Sequence, residues 1–174
     1  MRDRIPGFTE RRWSLRSSEP RAEGRAEVRV HMPQGEQGED EMKVNGACHC
    51  GEITYEAEVD PEKVAVCYCT DCQTMTGGTC HVNAVVADDG LRLTAGKPAE
   101  YIKTGDNGNK RIQAFCGSCG THLYACNVEG PKHYGVRVGA MDKRVDLPPK
   151  ARFFLRSQPG WVVDEASLPG RETQ

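Results

Sequence analysis

A mostly-β domain of small, metal-stapled sheets is the fold class that this 174-residue sequence predicts. Three observations predict it. Short runs of alternating or β-branched residues recur along the chain, clusters of turn-forming residues separate them, and seven of the nine cysteines fall into three tight groups. One stretch alone reads as a helix, and a domain of small strands gains much from metal staples.

The elements follow in order. Glu52-Ile53-Thr54-Tyr55-Glu56-Ala57-Glu58 alternates polar and apolar side chains, the pattern of a half-buried strand. Lys63 to Tyr68 and His81 to Ala87 are further β-rich runs. Between them Thr70 to Met75 is the predicted short helix, stopped by Gly77-Gly78. Asp89-Gly90 is a hairpin-turn signal ahead of the strand Leu91-Arg92-Leu93-Thr94. Gly96-Lys97-Pro98 breaks the chain before Glu100-Tyr101-Ile102-Lys103, and Gly105 to Asn109 reads as a loop. Arg111 to Phe115, His122 to Ala125, Tyr134 to Val138 and Arg152 to Leu155 complete the strands.

Composition divides the chain near residue 41. Residues 1–41 hold eight Arg and nine acidic residues but no Lys and no Cys, and they close on the polar run Gln34 to Glu41. Such a run buries no core, so residues 1–41 are expected to form a disordered extension and residues 42–174 the zinc-binding domain. Met42 is a candidate translation start, because the ordered pattern begins directly after it. With 23 basic and 25 acidic residues the formal charge is −2, which gives no electrostatic footprint for nucleic acid or an anionic membrane. No apolar run approaches the ~20 residues of a membrane span, and no secretory signal is visible. A soluble, cytoplasmic protein is the expectation.

An odd cysteine count without an export signal argues against a disulfide framework, the competing reading, and towards metal. The groups are Cys48-His49-Cys50-Gly51, Cys67-Tyr68-Cys69-Thr70-Asp71-Cys72 and Cys116-Gly117-Ser118-Cys119-Gly120. A Cys-x-x-Cys turn brings two thiolates to one tetrahedral cation, and Gly117 and Gly120 would supply the positive φ such turns often need. The division that leaves every group intact joins Cys48 and Cys50 with Cys116 and Cys119 as a four-thiolate structural site. Cys67, Cys69 and Cys72 then form a three-thiolate site with an open fourth position, the pattern of a catalytic zinc. Two Zn²⁺ per chain follow, one structural and one catalytic, with iron as the other metal that thiolates select. The open site lies at the start of the predicted helix, where backbone N–H groups favour thiolate.

These residues resemble the glutathione-dependent formaldehyde-activating family, which also includes centromere protein V-like proteins. The resemblance is carried by Gly46-Ala47-Cys48-His49-Cys50-Gly51-Glu52, by Cys67 to Cys72 with Thr76-Gly77, and by Phe115-Cys116-Gly117-Ser118-Cys119-Gly120-Thr121, within about residues 43–170. It implies a β-tent fold with two zinc sites and a carbon–sulfur lyase-type activity. That activity condenses glutathione, or a related thiol, with formaldehyde or another small aldehyde to S-(hydroxymethyl)glutathione, with Cys67, Cys69 and Cys72 holding the catalytic zinc. The chain departs from the family at Tyr68, where a His is common, at Gln73, where an Arg is common, and at Arg152-Phe153-Phe154-Leu155. The alternative class is a non-catalytic zinc-binding module that recognises a partner protein.

Lys110 and Arg111 are candidate anchors for the carboxylates of glutathione, with a solvated strand end as the competing role. Cys80, Cys126 or His81 would close the second site if one reached it, although Cys80 and Cys126 also suit small buried hydrophobic positions. His49 and His122 neighbour the four-thiolate group and are expected at the surface or hydrogen-bonded to its ligands. Trp161, Tyr101 and Phe115 are core candidates first and pocket walls second.

Overall fold

A computed structural model describes residues 41–105, 108–130 and 133–172. The expected extension, residues 1–41, lies outside them apart from Glu41. Among the described residues ten strands form two sheets, accompanied by one α-helix. The first sheet has three strands in the order β1 (Met42–Ala47), β2 (Thr54–Val59), β5 (Leu91–Ala95). The second has seven: β10 (Ala151–Phe153), β3 (Val64–Cys67), β4 (His81–Ala87), β9 (His133–Arg137), β8 (His122–Asn127), β7 (Lys110–Phe115) and β6 (Ala99–Thr104). All pairs are antiparallel except β10 with β3. The mostly-β class with one short helix holds, while the larger sheet exceeds the small sheets expected and includes a parallel edge.

The helix α1 (Thr70–Thr76) begins at Cys69, whose sulfur accepts the Cys72 N–H, and ends on Gly77 in the left-handed region at φ 65°. Strand β1 carries no clean sequence signal, because Gly46 stands where its alternation needs an apolar side chain. The Asp89-Gly90 hairpin is corrected. Asp88–Gly90 forms a 3₁₀ turn that carries the chain from β4 in the larger sheet to β5, which pairs with β2 in the smaller one. A turn that changes sheets has the same residue chemistry as a hairpin turn, so the dipeptide alone does not separate them.

Strand alternation sorts the seven-stranded sheet into two unlike faces. Val64, Ala84, Val86 and Val136 point to the smaller sheet and pack with Val44, Ile53, Tyr55 and Val59 into the core. The opposite face carries Cys67, His81, Asn83, Arg137, Gln113 and Phe115, which stand at matching register positions across β3, β4, β9 and β7. A β-bulge between β7 and β8 at Ala114/Phe115 breaks the parity of β8. Leu123 and Tyr124 therefore both reach the core, and His122 turns to the polar face opposite Phe115.

Gly46 fixes how β1 meets β2. Its register partner Tyr55 is buried, and a Cβ at Gly46 would lie 2.0 Å from the Tyr55 ring. Gly46→Ala is expected to lower unfolding free energy in urea by about 3 kcal/mol, the upper range for core overpacking. Gly117→Ala, whose Cβ would meet only Ala99 at 3.8 Å, should change it by less than ~1 kcal/mol. Equal midpoints for the two variants would contradict this packing.

Candidate metal centre

Two loops of like construction supply the first sulfur group. After β1 the Cys48 N–H bonds the Ile53 carbonyl at 2.9 Å, and after β7 the Cys116 N–H bonds the Thr121 carbonyl at 2.9 Å. Each loop turns on one left-handed glycine, Gly51 at φ 79° and Gly120 at φ 75°. Gly117 is not in that region, so of the two glycines expected to take positive φ only Gly120 does. Cross-links fasten the loops together: the His49 N–H reaches the Thr121 hydroxyl at 3.0 Å, and the Ser118 hydroxyl bonds the Glu52 carboxylate.

The result places the sulfurs of Cys48, Cys50, Cys116 and Cys119 all within 4.8 Å of one another. Cys48 and Cys116 are buried, while Cys50 and Cys119 lie toward the surface. Sulfur separations are 3.5 Å for Cys48 to Cys50 and 3.8 Å for Cys50 to Cys116. The Ile53 N–H points at the Cys48 sulfur at 3.2 Å. Burial opposes ionisation of Cys48, but that N–H and the neighbouring thiols bring it below the ordinary thiol range. The Thr121 hydroxyl and N–H pull Cys119 down to about 5. Cys50, despite the Glu52 N–H, is pushed up to about 12 by the sulfurs around it. Four sulfurs that cannot all ionise alone, with N–H groups aimed at them, fit a cation that replaces their protons.

The second group gathers Cys67 at the end of β3, Cys69 as the cap of α1 and Cys72 in its first turn, again within 4.8 Å. The thiols of Cys67 and Cys72 turn toward Cys69 and lower it to about 2, helped by the Cys72 N–H at 3.4 Å and by Lys103. Cys67 and Cys72 are raised by the same crowding. One thiolate held by two thiols is a site for a cation that would displace two protons. No fourth His, Cys, Asp or Glu among the described residues joins this group. His81 pairs with Cys67 across β4 and β3 but stands outside it, and Cys80 bonds only the Thr79 hydroxyl at 3.8 Å. Cys126 is buried on β8.

The positions that depart from the family pattern have structural work. Gln73 donates to the Tyr68 and Ser157 carbonyls, both at 2.7 Å, and so ties α1 to the segment after β10. Tyr68 is buried, with the Arg152 guanidinium 6.0 Å from its ring centre. A cation stands beside the three sulfurs all the same: Lys103 on β6 is ion-paired with Asp71 in α1. Lys110 sits exposed at the outer end of β7, while Arg111 falls on the same sheet face as Gln113.

Two cavities flank α1. One, of about 500 Å³, is lined by Asp71, Met75, Tyr101, Gln113, Phe115 and His122. The other, of about 420 Å³, is lined by Met75, Cys80, His81, His122 and Arg137 among others. Tyr101 and Phe115 are thus pocket walls, and Tyr101 is exposed, as is Trp161. His81 and His122 lie 5.5 Å apart, ring to ring. His122 was expected near the four-sulfur group, and the bulge in β8 aims it here instead. Arg137, Asn83 and Gln113 were missed by sequence reasoning. The available signal was a lone Arg in the apolar strand Tyr134-Gly135-Val136-Arg137-Val138. No helix among the described residues is long and apolar enough to cross a membrane.

A family model described as glutathione-dependent formaldehyde-activating enzyme matches residues 43–157. Among solved structures, the chain is similar to a crystal structure of a Rhodobacter sphaeroides protein from structural genomics. The identity is 22% and the TM-score 0.50, with 63% of this chain and 99% of that chain covered. That likeness speaks to the fold. No curated protein matches the chain.

Cys119→Ser should leave the zinc-reconstituted chain short by about one metal equivalent and lower its unfolding midpoint, because the Cys48 to Cys116 cluster closes a long loop. Elemental analysis and thermal melts check this. A variant with full metal content and an unchanged midpoint would contradict a structural role for this group.

Proposed function

Because the chain belongs to the family of glutathione-dependent formaldehyde-activating enzymes, we propose that it condenses glutathione with formaldehyde to S-(hydroxymethyl)glutathione as a zinc-dependent carbon–sulfur lyase-type enzyme. In the reaction the thiol sulfur bonds to the aldehyde carbon, the carbonyl π bond opens, and the thiol proton ends on oxygen. The observation that carries the reading is the three-cysteine group of Cys67, Cys69 and Cys72. It is short of a fourth protein ligand among the described residues, and the helix that carries Cys72 also lends Met75 to the walls of two cavities. A zinc ion held there would act as a Lewis acid that lowers a substrate thiol's pKa toward neutrality.

The chain's own residues supply the rest. The Cys69 cap and the N–H of Cys72 orient the group at the head of α1, and the Lys103–Asp71 ion pair holds that helix end against β6. Met75, Tyr101 and Phe115 give the larger cavity an apolar wall that limits water around the reacting thiol. Arg111, on the same sheet face, and Lys110 beside it are assigned to an outer carboxylate of glutathione. A module that only recognises a protein partner would gain nothing from a metal site left one ligand short.

Formaldehyde–glutathione adduct formation is followed by NMR with and without protein, because the adduct also forms spontaneously. Wild-type protein should accelerate it, and Cys69→Ser should fall at least about a hundredfold, toward the background rate. Equal rates with and without wild-type protein would remove the enzymatic reading.

A further inference from the structure

Arg137 presents a problem that the proposed reaction does not use. It is buried, at 7% exposure, on the polar face of the seven-stranded sheet. Its Nη1 donates to the Asn83 carbonyl oxygen and its Nη2 to that of Gln113 at 2.8 Å. Both acceptors are neutral amides, so the guanidinium charge is favoured only through space, by the sulfurs of Cys67, Cys69 and Cys72. None of the ion pairs among the described residues includes Arg137. Its third donor, Nε, is buried with no partner. A buried guanidinium is costly unless an anion meets it.

The surroundings are polar as well. His81, at 8% exposure, and His122 line the same cavity as Arg137, and the Nδ1 of each is buried without a partner. The wall therefore carries the guanidinium charge, guanidinium N–H groups beyond the two used, and two imidazole rings. A planar guanidinium suits a planar, singly charged acceptor. His81 pairs with Cys67, and Asn83, two residues on, pairs with Arg137. The subsite thus lies about 7 Å along β4 from the three-cysteine group.

We propose that the cavity between α1 and β9 is a carboxylate subsite, in which the Arg137 guanidinium receives one carboxylate of the thiol substrate. This rests on the reading of the chain as a glutathione-using enzyme and names the anchor for that substrate. Asn83 and Gln113 are positioning residues that hold the guanidinium at the cavity wall. The cavity's volume, about 420 Å³, accommodates one arm of a tripeptide.

The test titrates the zinc-loaded chain calorimetrically with S-methylglutathione, which keeps both carboxylates but no free thiol, and with its dimethyl ester. The acid should bind at least about tenfold more tightly than the diester, Arg137→Gln should cut that preference severalfold at unchanged metal content, and Arg137→Lys should cut it less. Arg137→Lys retains the buried charge, so it reads the subsite even if Arg137→Gln fails to fold. Similar affinities for acid and diester on the wild type overturn the proposal, as does no binding of either. An unchanged acid preference in the Arg137 variants also overturns it and leaves Arg137 to balance the charge of the three cysteines. Adduct formation reads the reaction separately. A chain that prefers the acid but accelerates nothing keeps the subsite and loses the reaction, and one that accelerates while accepting the diester equally does the reverse.

Discussion

Four sulfurs from two loops, brought within 4.8 Å, are the constraint on which the rest of the structure depends. Cys48 and Cys50 follow the first strand of the small sheet, and Cys116 and Cys119 join two strands of the large one. Closing that loop costs conformational entropy. Crowding four thiols also leaves some of them unable to ionise, which is visible in the opposite displacements of Cys50 and Cys119. A tetrahedral cation would remove both difficulties at once. The two sheets are then fixed face to face, with Tyr55 seated over Gly46 and the core closed between them.

Once the apolar face of the large sheet is committed to that core, its other face is free to be polar. The elements that cover it decide the chemistry. Helix α1 brings Cys69 and Cys72 over the end of β3, where Cys67 completes the trio. The Lys103–Asp71 pair and Gln73 hold the helix from two sides. Beneath it lies a buried polar floor of Arg137, Asn83, Gln113 and His81, an arrangement that would be destabilising if it served stability alone. Polar groups left without partners in a cavity beside a reactive group are better understood as groups awaiting a ligand.

The legible part of the sequence was the part governed by local spacing. Close cysteine groups and the runs His81 to Ala87 and Thr70 to Met75 depend on neighbours in the chain, and the structure places strand and helix over those segments. What stayed hidden depends on partners far away. Asp89-Gly90 has the chemistry of a tight turn, but whether β5 pairs with β4 or β2 is decided by packing between sheets. His122 changes faces because of a bulge opposite Ala114 and Phe115, and nothing in Thr121-His122-Leu123 announces it. Arg137 was overlooked because alternation marks a charged residue in a strand as solvent-facing, whereas here the outward face is roofed by a helix. Tyr68 and Gln73, where the chain departs from the family pattern, fasten its frame.

The central claim is that the two sulfur groups hold metal differently, one with four protein thiolates and one with three. Zinc-edge X-ray absorption on the reconstituted chain tests it most directly. With two zinc ions bound, the account predicts an average of about 3.5 sulfurs per zinc at ~2.3 Å, the balance being a lighter atom, and about four sulfurs when Cys69→Ser leaves only the first site filled. An average of four sulfurs in the wild-type chain with both sites filled, or a single bound zinc, would contradict it.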